Sequence, residues 1–241
     1  MIGIFGFGRF GKLMARYLAE DFSVIVRDTG GNAASIEATG AEAADLETTA
    51  AQDILILSVP ISVLSDTLTQ IIPYLKPGAL VLDVSSVKVL PDKWLRELLP
   101  ESVSYLPTHP MFGPDSAADS LKDRKIVLCP GRVEPKQYDC VRSYLKDKGL
   151  DVIETTPEAH DREIAVSLAL THFIGRSLSS FGAGELRIDT EGYKRLLHIL
   201  EVVENDTWQL FSDMNHYNPF AGEVRDSFLY AMEEIKNRLE S

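Results

Sequence analysis

The sequence predicts an α/β domain with a mostly parallel, doubly wound sheet, followed by a smaller domain built only of helices. Over the first 155 residues, short apolar runs alternate with helical patterns, and after about residue 157 the strand-like runs cease. The apolar runs do not alternate with polar residues, which is expected when helices cover both faces of a parallel sheet. We therefore predict domains at 1–156 and 157–241 of this 241-residue chain.

The individual elements are predicted from these patterns. Strands are predicted at 2–5, 23–27, 53–58, 79–83, 102–106, 125–129 and 151–155. Helices are predicted near 9–19, 61–75, 90–99 and 135–148. In the second domain, Ile164, Leu168 and Leu178 follow a helical period, and a second long helix is predicted from about 189 to 215. A further helix is predicted to begin with Asn218 as N-cap and Pro219 as first residue. Large apolar residues recur along these helices, so we expect them to pack against the first domain or a second copy of the chain.

The charge balance excludes some partners. The chain has 24 basic and 36 acidic residues, a net charge of −12, and 151–241 holds 8 of the former and 17 of the latter. Nucleic acids and anionic membrane surfaces select for clusters of Lys and Arg, so we expect neither as a partner. The longest apolar run, Ile54–Leu64, is shorter than the roughly 18–20 residues of a membrane span.

The cysteines bear on the compartment. Cys129 and Cys140 are too few for a disulfide framework, which is typical of a reducing cytosol. No leader sequence precedes the first strand-like run, so we expect a cytoplasmic protein.

A glycine-rich turn follows the first strand and opens a helix. Its residues are Gly6, Phe7, Gly8, Arg9, Phe10 and Gly11. In this pattern the first glycine permits a tight turn, the second lets the backbone approach a pyrophosphate, and the third lets helix and strand pack closely. The helix N-terminus stabilises the phosphate charge. In a βαβ context at the start of the chain, the motif predicts a Rossmann-type dinucleotide-binding domain.

An acidic residue stands at the end of the second strand. Asp28 lies 22 residues after Gly6, where a carboxylate can bind the adenosine ribose hydroxyls of NAD. The alternative is a solvated acid at a strand end. Arg27 is adjacent and could instead meet the 2′-phosphate of NADP, so we predict NAD and leave NADP open.

Three further strand ends carry polar or rigid residues. They are Ser58-Val59-Pro60, Asp83–Lys88 and the Pro107–Pro114 loop. Ligands of open parallel sheets bind beyond the carboxyl ends of the strands, so these segments should lie near one another. His109, between two prolines, suits a general base, because it is stiffly placed and titrates near neutrality. A structural histidine bonded to backbone is the alternative, and Ser86 is an active-site candidate, a helix N-cap or both.

His172 is the second candidate histidine. It lies four residues after Leu168 on a predicted helix and shares its apolar face, so it is either a core residue or a functional one. The other histidines, at 160, 198 and 216, show no ligand-type spacing, and we predict no metal.

These motifs together resemble the prephenate/arogenate dehydrogenase family of tyrosine biosynthesis. The resemblance covers nearly the whole chain and rests on GFGRFG, DVSSVK, THPMFGP, EAHDRE, THFIGR and IDTEGY. DVSSVK followed by THPMFGP about twenty residues later is much more specific than the glycine motif. THPMFGP, THFIGR and IDTEGY are most similar to the plant-like arogenate branch.

The resemblance implies an NAD(P)-dependent oxidative decarboxylation of a cyclohexadienol. It implies that His109 is the catalytic histidine, that Ser86 is the active-site serine and that His172 lies near nicotinamide and substrate. It also implies a homodimer formed through the C-terminal helices. The substrate would be a small dicarboxylate, and we predict prephenate, with arogenate as the alternative.

The sequence departs from the family in the substrate region. Many bacterial members carry a second histidine three residues after the helix histidine, where this chain has Gly175. Many also carry an arginine in the region matching 192–199, where this chain aligns His198. The predicted substrate-binding residues are Ser86, Lys88, His109, His172, Arg176, Lys194, Arg195 and His198. The predicted cofactor-binding residues are the six of the glycine turn, Asp28, Ser58, Val59 and Pro60.

Two other functions fit the predicted fold less well. A two-domain reductase of the β-hydroxyacid dehydrogenase or pyrroline-carboxylate reductase type is one, but the former needs a catalytic lysine on the interdomain helix. The chain has no lysine between Glu158 and Gly184. A cofactor-binding sensor without turnover is the other, and the presence of both Ser86 and His109 argues against it.

Overall fold

The chain divides into two compact units, Met1–Pro157 and Glu158–Ser241. The computed structural model describes residues 1–30 and 33–241, with the backbone alone at 202 and 204. The division lies one residue after the boundary predicted from the end of the strand-like runs. The functions assigned to the two parts stay predictions.

The first unit contains an eight-stranded sheet in the order β3-β2-β1-β4-β5-β6-β7-β8. The strands are β1 Ile2–Phe5, β2 Val24–Arg27, β3 Glu42–Ala43, β4 Ile54–Leu57, β5 Leu80–Asp83, β6 Ser104–Pro110, β7 Lys125–Leu128 and β8 Asp151–Glu154. Neighbouring strands are parallel except for the β6–β7 pair. The order 3-2-1-4-5-6 is that of the Rossmann fold, and it leaves a switch point between β1 and β4 where ligands bind. The predicted fold class is confirmed.

Helices cover both faces of this sheet. They are α1 Arg9–Ala19, α2 Ala33–Glu37, α3 Leu46–Ala50, α4 Ile61–Ile71, α5 Val89–Leu98 and α6 Pro135–Asp147. A short 3₁₀ turn, Ile72–Tyr74, follows α4. Along β5, Leu80 and Leu82 belong to one buried apolar cluster and Val81 to the other. Because adjacent residues of a strand point to opposite faces, the two clusters are the two layers of core.

Two strands differ from the prediction. The two-residue β3 was missed because it is too short to show a pattern. β6 continues through Pro110, whereas the prediction ended the strand at 106 and treated residues 107–114 as a loop. The extension pairs antiparallel with β7, with His109 opposite Val127. That pairing exists only in the folded sheet, whereas the prolines in the sequence indicated a loop.

In the second unit, all the regular secondary structure of the described residues is helical. Its elements are α7 Pro157–Ile164, a π-helical segment Ala165–Leu170, α8 Thr171–Phe181, α9 Glu191–Glu204, α10 Trp208–His216 and α11 Ala221–Glu240. The single helix predicted from 189 to 215 is wrong, because Thr207 caps a new helix there by accepting from the backbone N–H of Leu210 at 3.1 Å. Helix α11 begins at Ala221, since Asn218 instead forms a turn and accepts from the N–H of Phe220 at 2.9 Å.

The first helices of this unit form one continuous apolar segment. Pro157–Phe181 is long and apolar enough to cross a membrane by length and composition alone, and 28% of its most apolar window is buried. Core helices of water-soluble proteins meet the same two measures. In the sequence this segment does not stand out as an apolar run, because polar residues, among them Ser167, Thr171 and His172, are spread along it.

Helices α8 and α9 approach closely at Gly175. A Cβ added there would lie 2.8 and 3.0 Å from the two methyl carbons of Val203 and 3.2 Å from Ile199. Val203 is 1% exposed and cannot move aside into solvent. The position where many resembling sequences carry a second histidine is thus closed by α9, which accounts for the glycine.

Replacing Gly175 tests this packing. We expect Gly175→Ala to lower the free energy of unfolding by about 1–3 kcal/mol, because overpacking of a core outweighs the better helix propensity of alanine. Gly222→Ala is the matched control, since among the described atoms within 4 Å its Cβ would meet only Arg225 Nη2, at 3.9 Å. Urea denaturation measures both, and a Gly175→Ala protein as stable as the wild type would contradict the packing.

Candidate active site

The glycine turn has two glycines that the fold requires and one that it does not. Gly6 has a φ of +96°, and a Cβ there would lie 2.2 Å from the Ser58 carbonyl oxygen. A Cβ at Gly11 would lie 2.1 Å from the Gly6 carbonyl oxygen. At Gly8 a Cβ would meet no described atom within 4 Å, and its φ of −65° suits any residue. Gly8 therefore leaves open space at the start of α1, as close approach of a dinucleotide pyrophosphate requires.

Asp28 joins this turn to the end of β2. Its Oδ1 accepts from the Phe7 N–H at 3.0 Å, and its Oδ2 accepts from the Gly30 N–H at 2.8 Å. The carboxylate is thus more than a solvated acid at a strand end. A cavity of about 270 Å³ opens beside it, with Ile36 and Ala43 among its apolar walls. These residues fit the adenosine half of a dinucleotide, whose ring is apolar and whose ribose hydroxyls donate to carboxylates.

The segment after β4 completes the wall of the turn. Ser58 donates its backbone N–H to the Phe5 carbonyl at 2.8 Å, and a Cβ at Gly6 would lie 3.2 Å from Val59 Cγ1. Pro60 precedes the first residue of α4. These predicted cofactor residues therefore lie at the switch point of the sheet.

A buried ion pair links the ends of β5 and β6. The Lys88 ammonium donates to Asp83 Oδ2 at 2.5 Å and to the Thr108 carbonyl oxygen at 2.5 Å, and both charged side chains are completely buried. Thr108 Oγ1 donates back to the Asp83 carbonyl at 2.6 Å. The ammonium has no exposed surface for a ligand, which differs from the substrate contact that the sequence suggested for Lys88. Lys88 is therefore a positioning residue for the ends of β5 and β6.

Lys88 acts directly on the backbone of the candidate base. The Thr108 carbonyl belongs to the peptide bond that leads into His109, so the ammonium fixes the strand at that residue. His109 is 6% exposed and lies on β6 between Pro107 and Pro110. The rigidity that the prolines suggested is present, but a paired strand provides it.

Buried oxygens at the end of β5 have no hydrogen-bond partner among the residues that the structure describes. They are Asp83 Oδ1, Ser85 Oγ and Ser86 Oγ. Buried polar groups are almost always hydrogen-bonded, so these atoms are places for water or ligand oxygens. Ser86 does not cap α5, whose N-cap is Lys88 without a side-chain bond. Of the two roles considered for Ser86, the structure shows only a side chain available to a ligand.

In the second unit, His172 is paired with an acid that sequence reasoning missed. His172 is 2% exposed, and its Nε2 lies 3.6 Å from Asp206 Oδ2. Burial lowers the pKa of His172 and Arg176 adds to that effect, while Asp206 opposes it. The Nδ1 atom of His172 has no hydrogen-bond partner within the described part of the chain. Asp206 escaped notice because it lies in the break of a helix predicted to be continuous.

Arg176 completes this cluster. Its guanidinium donates to the backbone carbonyl of Asp206 and lies 6.0 Å from the rings of Trp208 and Phe211. Its Nε is buried and has no hydrogen-bond partner among the described side chains and backbone. A guanidinium beside a buried histidine offers the donors that bind carboxylates.

The other predicted substrate cations lie on the exposed face of α9. Lys194 is paired with Glu191 at 3.4 Å and Asp189 at 3.7 Å. His198 Nδ1 lies 2.7 Å from Glu201 Oε2, and Arg195 is exposed. Since the opposite face of α9 packs on α8, the structure does not bring these side chains to His172. Among the described residues, no His, Cys, Asp and Glu side chains form a group that could hold a metal.

Comparison with known proteins gives a consistent family. A family model described as prephenate dehydrogenase, nucleotide-binding domain, matches residues 15–154, and one described as TYRAAT1-like, C-terminal domain, matches 177–241. A Methanocaldococcus jannaschii protein named "Probable arogenate/prephenate dehydrogenase" is 32% identical over 93% of this chain and 53% of its own length. Arogenate dehydrogenase 2 of Arabidopsis thaliana is 30% identical over 99% of this chain and 69% of its own.

Solved structures share the fold. Prephenate dehydrogenase from A. aeolicus, in complex with hydroxyphenyl propionate and NAD+, superposes with a TM-score of 0.80 at 19% identity, covering 99% of this chain and 90% of that one. Synechocystis arogenate dehydrogenase gives a TM-score of 0.74 at 23% identity, covering 99% and 91%. The chain spans about half the length of the M. jannaschii relative and 39% of Arabidopsis arogenate dehydrogenase 1.

The buried ion pair can be tested through stability. We expect Lys88→Met to cost about 3–5 kcal/mol, because it leaves the Asp83 carboxylate buried without its countercharge. Adding Asp83→Asn should recover part of the loss, since an amide needs no countercharge. Lys93→Met, at an exposed position of α5, is the matched control. Urea denaturation of the four proteins measures the effect, and a Lys88→Met protein as stable as its control would contradict the role.

Proposed function

Since the chain belongs to the prephenate dehydrogenase family, we propose that it catalyses the NAD-dependent oxidative decarboxylation of prephenate to 4-hydroxyphenylpyruvate. The observation that carries this proposal is the arrangement around His109. The Lys88 ammonium fixes the backbone before it, and unpartnered Ser86 lies on the adjacent strand end. Both stand on the same edge of the sheet as the dinucleotide turn.

The chemistry divides between cofactor and protein. When bound, NAD supplies the acceptor for the hydride that leaves the ring carbon bearing the hydroxyl. His109 accepts the hydroxyl proton as the C–O bond becomes a carbonyl. Ser86 orients the His109 side chain and the substrate hydroxyl. Carbon dioxide then leaves as the ring becomes aromatic. A positioned base of this kind contributes about 10²–10⁴-fold to the rate.

The charges around the adenosine cavity support NAD over NADP. Asp28 and Asp45 both line it, and two carboxylates oppose a 2′-phosphate. Arg27 also lines the cavity, but its guanidinium donates to the backbone carbonyl of Asp28. For NADP to bind well, the Arg27 guanidinium would have to leave this carbonyl and contact the 2′-phosphate.

Arogenate is the second candidate substrate. The Arabidopsis relatives, at 29% and 30% identity, are both named arogenate dehydrogenases. The two substrates differ where one carries a keto acid and the other an amino acid. We propose that Arg176 and His172 orient the side-chain carboxylate common to both. Assays with each substrate and each cofactor, followed by absorbance of the reduced nicotinamide, distinguish the four combinations.

The role of His109 predicts a specific loss. We expect His109→Gln to lower kcat by about 10²–10⁴-fold with the preferred substrate, while the Kd for NAD stays within about twofold. His216→Gln, at an exposed position of α10, is the control and should keep its activity. Steady-state kinetics and calorimetric titration measure the two quantities. Undiminished turnover in His109→Gln would contradict the proposed base.

We further propose a homodimer formed through the C-terminal helices. Large apolar side chains of this unit are exposed in the single chain, among them Phe181, Ile188, Trp208, Met232, Ile235 and Leu239. An apolar surface of this extent is typical of an interface. Neither Cys129 nor Cys140 forms a disulfide, in keeping with the cytoplasmic location that we propose.

The dimer predicts a defined effect of one charge. We expect light scattering to give twice the chain mass at micromolar concentration, and Ile235→Asp to shift the equilibrium toward monomer, because a buried carboxylate opposes association. Asn237→Asp, exposed on the same helix, is the charge control. A wild-type monomer at this concentration would refute the assembly.

A further inference from the structure

The segment that follows His109 is hydrogen-bonded to α1, the helix that begins within the dinucleotide turn. We call residues 113–119 the post-strand segment. Asp115 Oδ1 and Oδ2 accept from Arg9 Nη2 at 2.6 and 2.8 Å. The Ala117 carbonyl accepts from the Tyr17 hydroxyl at 2.9 Å, and the Ala118 carbonyl accepts from Arg16. Arg9, Arg16 and Tyr17 all lie on α1.

Arg9 stands where a bound pyrophosphate would need a cation. It is the first residue of α1 and directly follows Gly8, beside which a Cβ would find open space. No acidic residue lies in the first turn of α1, and no side chain caps it. The helix N-terminus favours anions, and a guanidinium forms strong charge-assisted bonds with phosphate. The Arg9 guanidinium is instead occupied by the Asp115 carboxylate.

This ion pair can exchange without unfastening the segment. The side chains of Arg9 and Asp115 are 45% and 63% exposed, and ion pairs this exposed are weak. The contacts of Tyr17 and Arg16 go to backbone carbonyls and do not involve Asp115. Arg9 can therefore leave Asp115 while these two bonds still hold the segment against α1.

We propose that Arg9 is a pyrophosphate-binding residue for the dinucleotide and that Asp115 binds the Arg9 guanidinium while no dinucleotide is bound. When the dinucleotide binds, the guanidinium exchanges the carboxylate for a phosphate oxygen. Asp115 then competes with the cofactor for Arg9 and lowers its affinity. This inference rests on the proposed dinucleotide-dependent function.

The sign of the effect of Asp115 tests the competition. We measure the Kd for NAD by calorimetry without substrate, at low ionic strength, for the wild type, Asp115→Asn, Arg9→Gln and the double variant. We expect Asp115→Asn to tighten binding by about threefold to fivefold and Arg9→Gln to weaken it. In the Arg9→Gln background, Asp115→Asn should change nothing, because there is no guanidinium to release.

Controls separate this exchange from other effects. Asp119→Asn makes the same charge change at an exposed position of the post-strand segment and should leave the Kd unaltered. If Asp115→Asn weakens binding, Asp115 positions Arg9 and the competition is overturned. If it tightens binding equally in both backgrounds, the effect is that of the general field, and the competition is again overturned. A wild type that binds neither NAD nor NADP would instead refute the proposed function itself.

Discussion

A buried ammonium fixes the end of the sheet on which the candidate chemistry depends. Lys88 binds the Asp83 carboxylate and the Thr108 carbonyl, so it joins the carboxyl ends of β5 and β6 in a region without solvent. At such a site neither charge can be relaxed by water, and the geometry of the pair is therefore strict. His109 takes its backbone position directly from this contact. The exposed lysines of the chain lack that constraint and cannot play the same part.

The dinucleotide turn is constrained in a different way. Gly6 and Gly11 are closed in by carbonyl oxygens, so the backbone there has one path. Gly8 faces open space, and Asp28 holds the turn against the end of β2 through two backbone N–H groups. The steric constraints therefore act at Gly6 and Gly11. The space beside Gly8, where a pyrophosphate would bind, holds no described side chain within 4 Å of an added Cβ. In the second unit a missing side chain has a similar effect at Gly175, where it lets α9 approach α8.

Much of the candidate site could be predicted from the sequence, and the predictions that were wrong or missing have common physical causes. The glycine spacing, Asp28 and the strand ends located the dinucleotide region, since βαβ order brings those ends to one edge. Lys88 was assigned to substrate because a lysine in a polar motif resembles a ligand, whereas burial beside Asp83 makes it a positioning group. Asp206 and Asp115 went unnoticed because neither lies in a motif. Their partners, His172 and Arg9, are 34 and 106 residues away in the chain.

By itself the sequence determined the class of fold, the dinucleotide turn and the family, because apolar periodicity, glycine spacing and short motifs are local properties of the chain. Tertiary structure alone decided that His109 lies on a strand, since the pairing of β6 with β7 has no local signature. It also decided which cations are buried, paired or exposed, because desolvation depends on every element that packs around a charge. The net charge of −12 could not show this. A charge acts on a ligand only where the fold leaves it accessible.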